Sequence, residues 1–468
     1  VASSIVETLR AALDPDKVKT DPASLKDRRH DYWVLSLLAD QQGHGAPAPA
    51  CVVQPADTQD VVTVVNACRE GRAPLIPFGL GSGVCGGVWA TSESVLLDMS
   101  AMNRVLDINS NNLTATFEAG VRGADAEAAV NRQGLTIGHY PQSIDVSAVG
   151  GWVATRSSGQ FSSAYGSIEN VLYGLEAVLP SGEVFTSRPT PRASAGPDLK
   201  EFFLGSEGRF GVITAVTFSL RWQPQKRDLA AFHVPDMETG FEAQRYMIQS
   251  GWNPPVMRQY DAVEAARLFP GQAMKGQGML LLVHEGPTAK VEVEAAVCAE
   301  LAKEMNCPPA PAEAAARWLE ERNHVPGFEG FLEKGIILDT IEVAAPWDKI
   351  GPIYDSAIAS LKEVDRLLVA SAHSSHAYRS GLNLYFTFVV RPEDPAQMAD
   401  VYRDCWRRVM EATLAGGGGI SHHHGIGRVR RDFLSREIGP AGVEILRAVQ
   451  AALDPANIMN PGVLIPDV

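Results

Sequence analysis

Phe78-Gly79-Leu80-Gly81-Ser82-Gly83-Val84-Cys85-Gly86-Gly87 comes directly after Pro74-Leu-Ile-Pro-Phe, an apolar run that reads as a short strand. Closely spaced glycines let the backbone approach a ligand and adopt positive φ, so successive N–H groups can converge on phosphate oxygens. In a doubly wound dinucleotide fold such a loop opens a helix whose first turn holds the pyrophosphate. Here the loop runs on into Gly86-Gly-Val-Trp-Ala-Thr, which is not helical text. The doubly wound reading is therefore weak. A cradle made of loop amides and a plain glycine turn remain open.

Two further clusters favour the cradle. One runs from Tyr140-Pro141-Gln-Ser143 through Ser147-Ala-Val-Gly150-Gly151-Trp-Val-Ala154 to Ser157-Ser-Gly. It is too rich in Gly, Ser and Ala to fill a core by bulk, and it suits a flat surface against something large and planar. The other, Gly205-Ser-Glu207-Gly-Arg-Phe-Gly211-Val-Ile213-Thr, is a turn leading into a strand. Each alone could be a tight turn in a compact sheet. Together they point to one extended, phosphate-bearing ligand.

The chain has 468 residues, enough for two or more domains, with 45% hydrophobic and 21% charged residues, a globular balance. Its net charge of −14 disfavours nucleic acid or an anionic membrane as a partner through bulk charge. The 6 cysteines show no CxxC and no framework spacing, which argues against a disulfide-built or zinc-ribbon fold. No run approaches the ~18 apolar residues of a membrane span. The expectation is a cytoplasmic protein with a small-molecule substrate, no nucleic-acid partner, no integral membrane segment and at most a second copy of itself as partner.

The apolar pattern predicts a helix over 3–13, a strand at 50–54, a helix over 58–69 capped by Asp57 or Thr58, and strand-rich text from Val95 to Leu220 that includes a strand over 168–179. The rhythm changes near Gln223-Pro-Gln-Lys-Arg. Strands then alternate with longer helices, as in an antiparallel sheet covered by helices. The predicted class is α+β. Residues 1–225 form one domain, 226–415 an inserted cap, and 416–468 a segment returning to the first domain, with a helix around Pro440 to Leu453.

The glycine loop, Gly138-His-Tyr-Pro-Gln-Ser, Val149-Gly-Gly-Trp-Val, Gly205-Ser-Glu-Gly and Ser421-His422-His423-His424-Gly425 resemble the vanillyl-alcohol-oxidase and p-cresol-methylhydroxylase flavoproteins. Within that superfamily the likeness is strongest to the alkyldihydroxyacetonephosphate synthases, and it covers most of the chain. The resemblance implies a two-part FAD-binding domain of the p-cresol-methylhydroxylase type with a cap. It implies that Pro77, Gly79, Gly81, Ser82, Gly83 and Val84 hold the pyrophosphate. Pro141, Ser143, Ser147, Gly150, Gly151, Ala154 and Ser157 line the path to the isoalloxazine, and Glu207, Gly211 and Ile213 lie near the adenosine. Covalent members attach flavin through a His or Cys. Here Cys85 is the one candidate in the first loop, and His139 matches a His of the synthases, whose flavin is free. Noncovalent FAD is expected.

In Ser375-His376-Ala-Tyr378-Arg-Ser-Gly-Leu-Asn383-Leu-Tyr385-Phe-Thr387, strand alternation puts Asn383, Tyr385 and Thr387 on one polar face, either a solvent face or a pocket wall. By the resemblance, Tyr385 falls on the acid/base tyrosine of the synthases and His376 on a histidine upstream of it. Arg258 falls on an active-site arginine whose planar fork suits an anion. On an extended chain only His422 and His424 could approach one ion from the same side. Relatives that oxidise D-2-hydroxy acids carry a Glu before a single His there, so no metal is expected, and His422, His423 and His424 are assigned to proton transfer or anion binding. Ala344-Ala-Pro-Trp347-Asp348 reads as a strand-to-helix turn. The absence of a G-x-S-x-G elbow leaves hydrolase chemistry unsupported.

Three functions follow. The first is FAD-dependent oxidation of a small, hydroxyl-bearing, anionic substrate by transfer to flavin N5. The second is the alkyldihydroxyacetonephosphate synthase reaction, a non-redox exchange of acyl for alkyl through the flavin. The third is a non-catalytic flavoprotein.

Overall fold

The computed structural model describes residues 2–466. Its first lobe is built on two small sheets. In one, Cys51–Val53 and Leu75–Phe78 run parallel to Val95–Asp98 between them, and Val18–Lys19 adds an antiparallel edge. The helix Thr58–Gly71 covers this sheet because Val61, Val64, Val65 and Cys68 recur at helical spacing and are buried. Asp57 caps it, accepting from the Asp60 N–H, and Arg72 ends it at φ 50°. The second sheet is antiparallel, in the order Val105–Asn109, Thr114–Glu118, Val212–Ser219, Leu172–Val178, Val184–Thr186.

The second lobe is one antiparallel sheet. Its order is Pro309–Ala310, Lys226–Val234, Gly278–Gly286, Val256–Tyr260, Leu367–Ser374, Gly381–Val390 and Ile337–Pro346, with Ala377–Tyr378 paired to the start of Gly381–Val390. The helices Met237–Gln249, Thr288–Glu304, Trp347–Lys362 and Met398–Ala415 pack on it. The turn at Pro346-Trp347 lies where the sequence places it.

Four sequence expectations need correction. Residues 168–171 are a helical turn, because Ser167 and Asn170 form a capping box there, and the strand begins only at Leu172. Val149–Ala154, within the small-residue segment read only as a flat surface, is a short helix. Gly150 is required within it, since a Cβ would lie 2.6 Å from that of Ala119, whereas Gly151 faces open space. The last helix spans Leu434–Leu453 with a break at Gly439 (φ 73°), so its first turn precedes Pro440. The region between the predicted helix over 3–13 and the strand at 50–54, to which the apolar pattern assigns no element, holds a helix, Val34–Gln41, whose Val34, Leu35 and Leu38 are buried in the core of the second lobe. Trp33 Nε1 donates to the Tyr402 hydroxyl at 2.9 Å.

Among the described residues, no helix is long and apolar enough to cross a membrane.

Candidate active site

The glycine loop leaves the strand Leu75–Phe78 with Gly81 and Gly86 at φ 73° and 72°. A Cβ at Gly81 would lie 2.8 Å from the Phe78 ring and one at Gly86 2.7 Å from Trp33, so the backbone path depends on glycine at both. Asp31 holds the loop from behind, its carboxylate accepting from the N–H groups of Gly87 at 2.7 Å and of Trp33 at 3.3 Å. Burial pushes this carboxyl up to about 7 against those hydrogen bonds. The Asn460 amide donates to Gly87 O and Glu207 O, pinning the chain's last loop to the first.

The loop is half-buried, yet none of the N–H groups from Gly79 to Val84 donates to another described residue. Buried amides normally have acceptors, so a row of uncommitted donors on a glycine backbone fits the oxygens of a diphosphate. Gly79 packs against Ala148, which places this row beside the helix Val149–Ala154. Next to that helix, His139 is fully buried, bonded through Nε2 to Ser157 Oγ at 2.9 Å, with Nδ1 unpartnered. Burial lowers its pKa to about 3, so it stays neutral.

Other residues of the expected cradle have internal duties. The Ser147 hydroxyl accepts from Trp152 Nε1 at 2.8 Å. Gly211 (φ 151°) is needed because a Cβ would lie 2.7 Å from Val178 O, and Ile213 is buried in the adjoining strand. The Glu207 carboxylate accepts from Ile426 and Gly427 N–H at 2.7–3.0 Å, so it orders the C-terminal segment. Pro77 is half-buried against Gly208, and Pro141 is buried while Ser143 and Ala154 are partly open.

The histidine loop is organised by Glu342, fully buried in the strand Ile337–Pro346. Its oxygens accept from the His422 N–H at 2.5 Å, the His424 N–H at 2.8 Å and Ser421 Oγ at 3.3 Å. The fully buried Arg430 guanidinium lies 3.0 Å away, donates to Ile420 O and Gly425 O, and covers the Trp406 ring at 4.8 Å. It also reaches Cys85 Sγ at 3.0 Å, which joins the histidine loop to the glycine loop. Burial pushes Glu342 up, but Arg430 and the loop outweigh it and its carboxyl sits below the usual carboxylate range.

This carboxylate bends the loop, and the extended-chain expectation fails in consequence. Instead of His422 and His424 sharing a side, His422 Nδ1 and His423 Nδ1 meet at 2.8 Å. His376 stacks on His422 with ring centroids 4.6 Å apart, and ligand-capable nitrogens of His376, His422 and His423 lie within 4.8 Å of one another. Several of the nitrogens of these rings already have partners. His376 Nδ1 meets Ser162 Oγ at 2.5 Å, and His422 Nε2 meets the Tyr378 hydroxyl at 2.7 Å. The Tyr385 hydroxyl meets His424 Nε2 at 3.2 Å, and its ring stacks on His423 and His373. Burial lowers His422 to about 4 and His424 to about 3, takes His423 and His376 well down, and raises Tyr385. At neutral pH the site therefore holds neutral imidazoles and an un-ionised phenol.

Of the predicted polar face, only Tyr385 reaches this cluster. Asn383 is fully buried and accepts from Ser375 and His376 N–H at 2.9 Å, setting the turn that carries His376, and Thr387 is buried beside Ser371.

Arg258 Nη2 meets His373 Nε2 at 2.7 Å and its Nε donates to the Tyr260 hydroxyl. Its guanidinium carbon lies 5.6 Å from the Trp318 ring centroid. His373 Nδ1 is held by the buried Glu264 at 3.1 Å, which fixes the tautomer that accepts from Arg258. No residue of this Glu264–His373 support, nor Tyr378, Glu342 or Arg430, was singled out in the sequence. An acid such as Glu342 inside the apolar run Ile-Glu-Val was the one available signal, since a buried charge demands a partner.

These features define a two-lobed protein in which one lobe presents a row of uncommitted loop amides suited to a diphosphate and the other a wall of buried histidines and a tyrosine. Residues 49–188 match the FAD binding domain family and residues 223–464 the C-terminal domain of FAD linked oxidases, and the chain belongs to this FAD-linked oxidase family. It is 33% identical over 480 residues to the uncharacterized FAD-linked oxidoreductase YgcU of Escherichia coli (strain K12), covering 99% of this chain and 98% of that protein. It is 28% identical over 503 residues to alkyldihydroxyacetonephosphate synthase of Trypanosoma brucei brucei, covering 100% of this chain and 81% of that one. A solved alkyldihydroxyacetonephosphate synthase superposes with TM-score 0.82 at 25% identity, over 98% of this chain and 85% of the other. p-Cresol methylhydroxylase shares the fold, with TM-score 0.78 at 17% identity, over 99% and 97%.

The chain is a flavoenzyme and its cofactor is FAD. Cys85 is buried and faces Arg430, and His139 Nε2 is bonded to Ser157. Acid precipitation of the purified protein is expected to leave the yellow colour in the supernatant, and colour retained in the pellet would show a covalent bond.

Proposed function

We propose that the chain oxidises a small anionic substrate at a C–H bond beside a hydroxyl group. The observation that carries this reading is Arg258. It is half-buried, and among the described residues it forms no ion pair with a carboxylate, although two neighbours fix its direction. Glu264, whose carboxylate feels the charge of Arg258, is bonded to His373 Nδ1 instead; a partly desolvated guanidinium with no direct ion partner is costly unless an anion completes the site, and its planar fork suits a carboxylate or phosphate.

FAD, when bound, supplies the acceptor for the hydride equivalent. The chain's own groups do the rest. Arg258 anchors the anion, and the neutral imidazoles of His422, His423 and His424 take up the hydroxyl proton. Tyr385, un-ionised and bonded to His424, donates a hydrogen bond to the substrate oxygen, and His376 packs behind His422. The test is anaerobic mixing with a panel of 2-hydroxy acids and hydroxyalkyl phosphates: one class should bleach the visible flavin absorbance. If none does, the reading is wrong.

A pH expectation follows from burial. Protonating the site histidines removes the base. Because burial holds His422 near 4 and His424 near 3, kcat should stay level as pH falls through the usual histidine range and decline only toward about 4. A kcat–pH profile with its acid limb near pH 6.5, the ordinary imidazole value, would contradict it.

The likeness to alkyldihydroxyacetonephosphate synthase over nearly the whole chain favours a second reading, in which Arg258 holds the phosphate of an acyl-dihydroxyacetone phosphate. Release of fatty acid from that compound, without net reduction of the flavin, would select it over oxidation.

A further inference from the structure

Two buried groups stand behind Arg258. Tyr260 pairs with His373 across adjacent strands, so Arg258, two residues before Tyr260, shares their face of the sheet. The His373 ring is buried between those of Tyr260 and Tyr385, with centroids 5.4 and 4.9 Å away. Glu264, in the helix Ala262–Leu268, is buried against it. We propose that Glu264 and His373 are positioning residues of the anion site: one fixed tautomer of His373 holds one edge of the Arg258 guanidinium and leaves the other edge for a single anion. This rests on the reading of Arg258 as the anion anchor, and not on the oxidation.

The tautomer follows from the partners. Burial and Arg258 lower the His373 pKa against the pull of Glu264, so the imidazole is neutral, with one donor and one acceptor nitrogen. Burial pushes the Glu264 carboxyl up, but the His373 hydrogen bond, Arg267 and Arg258 outweigh it and hold it below the usual carboxylate range. An ionised carboxylate only accepts. The His373 proton therefore sits on Nδ1, 3.1 Å from Glu264 Oε1, and the Nε2 lone pair faces Arg258 Nη2 at 2.7 Å. The other tautomer would set N–H against N–H at Arg258 and a lone pair against the carboxylate.

A guanidinium carries five N–H groups in one plane. Nε donates to the Tyr260 hydroxyl and Nη2 to His373, and these two nitrogens form one edge of the fork. Among the described residues, Nη1 donates to no group. Nη1 and the second N–H of Nη2 make the other edge, two parallel donors that match the two oxygens of a carboxylate or phosphate. The Tyr260 and Trp318 rings, with centroids 5.2 and 5.6 Å from the guanidinium carbon, restrict its remaining freedom.

Charge and position predict opposite signs for Glu264. Its negative charge repels a bound anion, so if charge were its whole effect, removing it would tighten binding. If Glu264 acts by fixing the tautomer, removing it lets the guanidinium turn and weakens binding.

Calorimetric titration of FAD-loaded protein with propionate and with methyl phosphate, each repeated on Arg258→Met, shows which anion the site takes. Glu264→Met should weaken that anion about 10-fold, the scale of one hydrogen bond. Glu264→Gln should bind it at least as well as the parent, because its carbonyl oxygen still accepts from Nδ1–H and the repulsion is gone. Arg267, the other cation beside Glu264, has 48% of its side chain exposed, so neither change leaves a fully buried charge alone. In ¹⁵N spectra of the histidine-labelled parent holoenzyme, His373 should carry its proton on Nδ1 alone, a result that decides even if Glu264→Met does not fold. Protonation at Nε2, or Arg258-dependent binding that Glu264→Met leaves unchanged or tightens, would overturn the proposal alone. If neither anion binds in an Arg258-dependent way, the anchor reading falls and the proposal with it.

Discussion

Arg258→Met is expected to lower kcat/KM for an anionic substrate by about 150-fold, or ~3 kcal/mol, the scale of removing one member of a desolvated charge pair. The loss should appear mainly in KM, because the guanidinium holds the anion before and during the reaction alike. The fold should persist, since His373 keeps Glu264 and Tyr260 stays buried against Phe269. Arg258→Lys should recover little: an ammonium cannot both reach the His373 nitrogen and offer a second parallel donor. For an uncharged alcohol the same variants should have almost no effect. Steady-state kinetics with a charged and an uncharged substrate of the same skeleton makes the comparison, and equal losses on both would remove Arg258 from anion binding.

Glu342→Gln is expected to destabilise the protein by about 3–5 kcal/mol, the cost of leaving a buried charge without its partner. That is a large part of the ~5–15 kcal/mol that holds a typical domain together. Arg430 is fully buried and its ion-pair oxygen belongs to Glu342, so the change strands a guanidinium. It also places an amide where two backbone N–H groups need acceptors, so the loop carrying His422 and His424 should loosen and activity should fall with stability. Urea denaturation of Glu342→Gln beside the double variant Glu342→Gln/Arg430→Met separates the two effects. The double variant should be more stable than the single one yet equally inactive. If it is no more stable, the ion pair is not what the single variant breaks.

The parts that were readable in the sequence are those governed by local rules. Val61, Val64, Val65 and Cys68 announce a helix because their spacing repeats every turn, and the polypeptide Gly381–Val390 announces a strand because its faces alternate. The glycine loop was legible because glycine at Gly81 and Gly86 answers a backbone demand. What stayed hidden depends on distant pairings. Glu342 and Arg430 are 88 residues apart, and neither carries a local sign of the other. The bend that brings His422 to His423 follows from that pair, so alternation along an extended chain gave the wrong geometry. Asn383 shows the same lesson from the opposite side. It shares strand parity with Tyr385, but its amide closes the His376 turn and not the pocket.

The contact between Trp33 and Tyr402 spans 369 positions. At a ribosomal rate of ~5–20 residues per second, the early helix waits roughly 20–70 s before the interior it completes has been made. During that interval Val34, Leu35 and Leu38 have no lasting shelter. The nascent polypeptide thus leaves the tunnel with an apolar segment whose shelter is made only by residues some 300 to 370 positions later, an exposure of the kind that favours aggregation before folding is complete.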